Sequence, residues 1–200
     1  MRGIIWACVV GVFWSVSIVQ PQHACSEVTD TQWEELLKAA GNEDWNHGFD
    51  LAAKYLHELK HSDPRLPRLR YIFLYTAAGK VSEGKMSYDC LTSVTKNLVG
   101  EEIILPYRQI SAQQKPADLN FICQPGKEKG MLFVAATNKK GTTVHDFEYI
   151  KLRDVFDVEE HDGKWASISG VIDAITPNPN KSTAIVLRIY ISDGSVKLRD

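Results

Sequence analysis

The apolar residues change their spacing near the middle of this sequence, and that change limits the folds it can adopt. In residues 27–105 they recur every three or four positions, as from Trp33 to Ala40, which predicts amphipathic helices. After residue 118 they form short runs of aromatic and β-branched residues, separated by turn signals such as Pro125-Gly126, which predicts strands. The sequence therefore predicts an α+β protein, with antiparallel helical hairpins followed by a small antiparallel β barrel or sandwich.

Four helices are predicted in the first half from start and stop residues. Thr29-Asp30-Thr31 offers the N-cap of the first helix, Glu34 follows Thr31 in capping-box spacing, and the helix ends at Gly41. The other three are predicted at about 44–61, 69–78 and 82–99. Gly79 is expected to end the third helix, because glycine is common just after a helix C-terminus.

A short pattern occurs twice among these helices. Trp33-x-x-Leu36-Leu37-x-x-Ala40-Gly41 aligns with Tyr71-x-x-Leu74-Tyr75-x-x-Ala78-Gly79, and Trp45-x-x-Gly48-x-x-x-Ala52-x-x-Tyr55 aligns with Val81-x-x-Gly84-x-x-x-Tyr88-x-x-Leu91. Small residues where helices cross, with glycine at the turn, are what two packed antiparallel helices need. The pattern, at about 31–99, resembles the tetratricopeptide repeat, although Gly48 and Gly84 replace the usual alanine.

The resemblance implies paired helices whose concave face contacts another protein. The large aromatic positions of the two copies are Trp33, Trp45, Tyr71 and Tyr75, and they form the candidate interaction surface. The alternative for the same four side chains is simple core packing.

The second predicted helix contains His57-Glu58-Leu59-Lys60-His61. Two histidines four residues apart on a helix can both bind zinc, with the glutamate as general base, and the string resembles the zincin metallopeptidases. That resemblance implies a metal site at His57 and His61 with Glu58 as catalytic base. Against it, helical periodicity places both histidines opposite the apolar face, so we expect an exposed pair instead.

The N-terminus predicts export. Arg2 precedes an apolar run over 4–19, Pro21 interrupts it, and Ala24-Cys25-Ser26 supplies small residues for cleavage after Ser26. This is the pattern of a secretory signal peptide. Ala24-Cys25 also resembles a bacterial lipoprotein cleavage site, which would make Cys25 a lipidated first residue. Without that lipid anchor, no membrane span is expected after cleavage.

Removal of residues 1–26 would leave Cys90 and Cys123. Two cysteines in an oxidising compartment predict one disulfide, which would tie the helical half to the strand-rich half. The alternative is two unrelated buried thiols.

The strand-rich half is predicted as a small β domain over 119–200, joined to the helical domain 27–105 by a linker at 106–118. Strands are predicted at about 121–123, 131–134, 142–150, 164–175 and 183–191. Residues 165–191 resemble the opening hairpin of an OB-fold, with Gly170 in the first strand, where glycine permits a sharp bend.

The net charge and the sequence motifs limit the classes of function that the protein can have. The formal net charge of -2 gives no case for nucleic acid, which normally demands a basic face. We therefore predict a periplasmic or secreted, non-catalytic interaction or scaffold protein with an unknown protein partner. A toxin-immunity, inhibitor or envelope-stress protein would differ only in that partner. The alternative from another class is a small zinc hydrolase built on His57, Glu58 and His61.

Overall fold

The computed structural model describes residues 28–112, 121–125, 131–141 and 143–199. The predicted signal peptide at 1–26 and the candidate lipidation site Cys25 lie outside these residues. The described part begins with four helices and continues into a curled mixed sheet, so the α+β prediction is confirmed. The helices are α1 (Asp30–Gly41), α2 (Trp45–Glu58), α3 (Leu66–Ser82) and α4 (Tyr88–Thr95), followed by a short 3-10 turn, Lys96–Leu98.

The start of α1 shows why the sequence forms a helix there. Thr29 accepts a hydrogen bond from the backbone N–H of Gln32, and the Gln32 side chain accepts one from the backbone N–H of Thr29. This reciprocal capping box satisfies two N–H groups that the first turn leaves without helical partners. The prediction that Thr31 and Glu34 form the box was wrong by two residues.

The third helix is longer than predicted, because Gly79 does not end it. α3 runs on to Ser82, and Gly79 lies where the ring of Trp45 crosses the helix. A Cβ at Gly79 would stand 2.3 Å from Cδ2 of Trp45, so only glycine lets the two helices approach this closely. The glycine is there for packing rather than for helix termination.

The fourth helix starts later than predicted. Gly84 has φ +71 and lies in the turn after α3, a conformation that glycine adopts without strain. Ser87 then caps α4 by accepting from the backbone N–H of Cys90 at 3.1 Å. The helix predicted at 82–99 is therefore only Tyr88–Thr95, and Val81, aligned with the start of a repeat helix, lies inside α3.

Seven strands follow within the described residues. They are β1 (Glu102–Ile104), β2 (Arg108–Ser111), β3 (Phe121–Pro125), β4 (Met131–Thr137), β5 (Thr143–Leu152), β6 (Trp165–Pro177) and β7 (Leu187–Leu198). The order is β1-β6-β2-β3-β4-β5-β7, and β7 also pairs with β6. Successive pairings therefore lead from β6 around the sheet and back to β6, which gives the sheet its strong curl.

Two pairings, β2–β3 and β5–β7, are parallel, so the prediction of an antiparallel sheet was wrong. β6 and β7 form a long antiparallel hairpin. The other edge of β7 then meets β5 running in the same direction. Gly170 of β6 allows close approach here, since a Cβ at this position would lie 2.5 Å from Cγ2 of Ile191.

The helices and the sheet share one hydrophobic core, which includes Leu69 of α3, Ile103 of β1 and Ile168 of β6. α3 is buried on several sides because α2 packs on one and β1 and β5 on another. The predicted linker at 106–118 was wrong for residues 108–111, which form β2 with Ile110 buried. Among the described residues, no helix combines the length and apolarity needed to cross a membrane.

Candidate functional site

A pocket of about 640 Å³ lies between α1 and α3 on one side and the sheet on the other. Its walls include Trp33, Leu37, Tyr71, Tyr75, Tyr107 and Arg108. The size is within the range of pockets that hold small molecules or short peptide segments. The lining is mostly apolar and aromatic, with a few charged groups at its edges.

Two tyrosines of α3 form one wall of the pocket. Tyr71 and Tyr75 are four residues apart on the helix, so their rings stack, with centroids 6.0 Å apart and an angle of 10° between planes. Both contact the edge of the His145 ring on β5, at 5.6 Å and 5.4 Å. Helical spacing thus presents two parallel rings, and the sheet supplies a third ring beneath them.

Burial controls the protonation of these rings. His145 is fully buried, and desolvation, with the nearby positive charge of Arg108, lowers its pKa to about 3. Burial also raises the pKa of Tyr71 and of Tyr75. All three side chains are therefore neutral at pH 7, and the charge in and around the pocket comes from other residues.

Among the described residues of the lining, the charged side chains are mainly positive. Arg108 on β2 donates from Nη2 to the hydroxyl of Tyr71 at 3.2 Å, which places a guanidinium against the aromatic wall. Arg68 and Lys139 also line the pocket. Glu43, the one acidic residue among the described residues of the lining, accepts a hydrogen bond from the backbone N–H of Lys139.

Contacts between the helices and the β4–β5 turn join residues that line the pocket. Glu43, in the loop between α1 and α2, has φ +61, a left-handed conformation that is uncommon outside glycine. That conformation accompanies its contact with Lys139. The hydroxyl of Tyr75 donates to the backbone oxygen of Thr137 at 3.2 Å. Two elements distant in sequence are thereby held together across the pocket.

Three of the four predicted interaction residues, Trp33, Tyr71 and Tyr75, meet at this pocket. The fourth, Trp45, does not line it. Its side chain is only 1% exposed, packs on Gly79, and meets the Tyr75 ring edge-on at 5.2 Å. Its indole Nε1 donates to Glu83 at 3.0 Å. For Trp45, the core-packing alternative is correct.

Three residues of the lining, Arg108, Glu43 and Lys139, were not predicted from the sequence. Arg108 falls in the segment predicted as a linker. Glu43 and Lys139 belong to two turns 96 residues apart, so no local pattern connects them. Polar residues in turns carry no sign of the pocket they border until the fold brings the turns together.

The zinc-peptidase arrangement is not assembled by α2. The helix ends at Glu58, and Leu59 turns into an extended conformation with ψ 137, so His61 lies beyond the helix. His57 and His61 are both exposed, and Glu58 pairs with Lys54 at 3.8 Å. Within the described part of the protein, no three His, Cys, Asp or Glu residues are grouped to hold a metal ion.

Cys90 is a free, exposed cysteine on α4, so the predicted Cys90–Cys123 disulfide is not formed in this structure. The physical reason is position. α4 packs on α3 and β6, whereas the backbone of Cys123 pairs with Ser111 on β2 and Phe133 on β4. The side chain of Cys123 lies outside the described part of the structure.

No family model, curated protein or solved structure matches this sequence. The function must therefore be inferred from the pocket itself. The pocket offers stacked aromatic rings and an arginine held against one of them.

Proposed function

We propose that the protein is an exported, non-catalytic binding module of the cell envelope, periplasmic or secreted, that holds a partner protein in the aromatic pocket. The observation that carries the proposal is the pocket of about 640 Å³ beside Trp33, Tyr71 and Tyr75. Aromatic side chains and arginine dominate binding energy at protein interfaces. This pocket combines both in one concavity.

The rim of the pocket supports a protein partner. Leu37 is 46% exposed and lines the pocket next to Trp33 on α1. An exposed apolar residue beside a concave aromatic surface is typical of an interaction site. A partner segment seated in the pocket would cover Leu37 at the same time.

The chemistry of the two pocket tyrosines, and of the histidine that contacts them, supports binding rather than catalysis. A general acid or base works best with a pKa near the working pH. The buried His145 has its pKa lowered to about 3, and burial moves the pKa of both tyrosines upward. These three groups would therefore exchange no protons with a bound ligand near pH 7.

Export rests on the signal-peptide pattern at 1–26, with cleavage after Ser26 and lipidation at Cys25 as the alternative. In this proposal the α1–α2 hairpin corresponds to one tetratricopeptide-like unit, and the β6–β7 hairpin to the OB-like element. The proposed binding pocket lies where the helices meet the sheet, so helices and strands both contribute to one binding surface.

Position-specific photo-crosslinking tests the proposal. A photoreactive amino acid replaces Leu37 at the pocket or, as control, Val155, which is 74% exposed and does not line it. In cells, we expect a discrete crosslinked product from position 37 and none from position 155. Gly41→Phe should abolish that product, because Gly41 lines the pocket and a Cβ there meets no atom within 4 Å.

Equal products from positions 37 and 155, or a product at 37 that survives Gly41→Phe, would contradict the assignment of the pocket as the partner site. The unchanged thermal stability of Gly41→Phe serves as the control for folding.

A further inference from the structure

We infer that Asn180 is a modification site, to which an N-linked glycan is attached during export. Asn180, Lys181 and Ser182 match the acceptor pattern Asn-x-Ser, in which the middle residue is not proline. The pattern occurs once in the sequence. This inference rests on the export in the proposed function, because the enzymes that attach such glycans act on the non-cytoplasmic side of the export membrane. It does not depend on the pocket.

The fold places the acceptor pattern at the surface, in the connection between β6 and β7. Asn180 and Lys181 are exposed, and Lys181 has φ +50, the left-handed conformation of a tight turn. Within the described residues, the side chain of Asn180 makes no hydrogen bond. The amide of Asn180 is therefore accessible to a modifying enzyme, and the surface leaves room for a bulky glycan.

Asn178, two residues earlier, shows by contrast what an asparagine does when the turn requires its side chain. Asn178 is buried, its Nδ2 donates to the backbone oxygen of Ile185 at 2.7 Å, and its Oδ1 accepts the backbone N–H of Asn180 at 2.9 Å. Because Pro179 follows it, Asn178 does not match the acceptor pattern. The turn thus uses the side chain of Asn178 but only the backbone of Asn180.

The rest of the connection is attached to the helices. The backbone oxygen of Ser182 accepts a hydrogen bond from the hydroxyl of Tyr88 on α4, and the backbone oxygen of Thr183 accepts one from the hydroxyl of Ser82 at the end of α3. Asn180 is not among the described residues that line the pocket. We therefore expect a glycan at Asn180 to leave the binding of a partner in the pocket unchanged.

The proposed step transfers an oligosaccharide from a polyprenyl pyrophosphate carrier. The nitrogen Nδ2 of Asn180 forms a bond to the anomeric carbon of the first sugar, and the bond from that carbon to the phosphate oxygen of the carrier breaks. Nδ2 loses one proton, and the carrier leaves as polyprenyl pyrophosphate. No atom is oxidised or reduced, so the oligosaccharide carrier is the only co-reactant.

Peptide mass spectrometry tests the inference on protein purified from the cells that produce it naturally. Trypsin should release residues 165–181 as one peptide, since Lys164 and Lys181 border it. We expect this peptide to carry a glycan mass, and peptide-N-glycosidase to remove that mass and leave aspartate at position 180. Asn180→Gln and Ser182→Ala should each abolish the glycan. Ser182→Thr, which keeps the acceptor pattern, should retain it.

Asn46→Gln is the matched control, because Asn46 is also exposed but is followed by His47 and Gly48. This variant should keep the glycan. Asn180→Gln should have the same melting temperature as the protein after glycan removal, and it should still crosslink from position 37.

Three results would overturn the inference. An unmodified 165–181 peptide in protein whose leader has been removed contradicts glycosylation but leaves export and the pocket in place. A glycan that persists in Asn180→Gln contradicts the assignment to this residue. Protein that keeps its leader and remains in the cytoplasm contradicts export, and both proposals then fail.

Discussion

The aromatic cluster around Trp45 and the pocket beside Tyr71 share a residue, Tyr75, yet one is closed and the other is open. At Trp45 the opposing residue is Gly79, so the indole rests directly on the backbone of α3. Tyr71 instead lines the pocket, and its hydroxyl accepts a hydrogen bond from Arg108. Aromatic residues alone therefore do not distinguish a core from a site. The size and charge of the opposing residue decide it.

The largest effect should separate the two tryptophans. Trp45→Ala should lower the free energy of unfolding by about 4 kcal/mol, because it leaves a cavity where a buried indole packed. Trp33→Ala should lower the free energy of unfolding by about 1 kcal/mol, because Trp33 is only half-buried at the pocket. Urea denaturation of the two variants measures both values. Equal losses would mean that the pocket wall is as tightly packed as the cluster.

The second effect compares two glycines. Gly79→Ala should lower the free energy of unfolding by about 3 kcal/mol, because the new Cβ overlaps the ring of Trp45 and forces the helices apart. Gly41→Ala should be neutral or stabilising by about 0.5 kcal/mol, because its Cβ meets nothing and the unfolded state loses conformational freedom. Thermal unfolding of both variants is the measurement. An unchanged melting temperature in Gly79→Ala would show that Trp45 does not pack tightly against α3.

The third effect asks whether water is excluded from His145, which contacts the two pocket tyrosines. The folded pKa of His145 is about 3 against an ordinary 6.5, so between these values only the unfolded state binds the proton. The contribution of His145 to stability is complete above about pH 6.5 and is lost as pH falls through this window. The free energy of unfolding falls by at most about 1.4 kcal/mol per pH unit, and by ~2 kcal/mol between pH 7 and pH 5.

Urea denaturation at pH 7 and pH 5 measures this loss of unfolding free energy. The loss should be smaller in His145→Phe, because phenylalanine keeps a ring against both tyrosines but has no group that titrates. If the two proteins lose the same stability on acidification, solvent reaches His145 and its pKa is not lowered by burial.

The smallest effect concerns the end of α2. His57→Ala and His61→Ala should each change stability by less than about 0.5 kcal/mol, because both side chains are exposed. Added zinc should leave the melting temperature of the original protein unchanged. Stoichiometric zinc that is lost in His57→Ala would instead support the hydrolase alternative and remove the reason to place function at the pocket.

Sequence patterns report on neighbouring residues, whereas the pocket is formed by contacts between residues far apart in the chain. Single helices and strands could therefore be predicted, but the pocket could not. Helical spacing is enough to predict that Tyr71 and Tyr75 share a face, and they do. The sequence could not show whether Gly79 ends a helix or admits a ring, because both uses need the same residue. Nor could it assign Arg108, since a strand as short as β2 has no periodicity of its own and is held in place by pairing with β3 and β6.

The most direct test of the pocket as the binding site uses tryptophan as a reporter. Trp33 lines the pocket, Trp45 lies in the closed cluster, and Trp165 is 48% exposed and does not line the pocket. In protein labelled with 5-fluorotryptophan, each ¹⁹F resonance can be assigned by substitution with Phe and followed as envelope extract is added. We predict that the Trp33 resonance shifts or broadens, that Trp45 and Trp165 stay unchanged, and that Gly41→Phe suppresses the response. A response at Trp165 with Trp33 unchanged would contradict the pocket as the binding site.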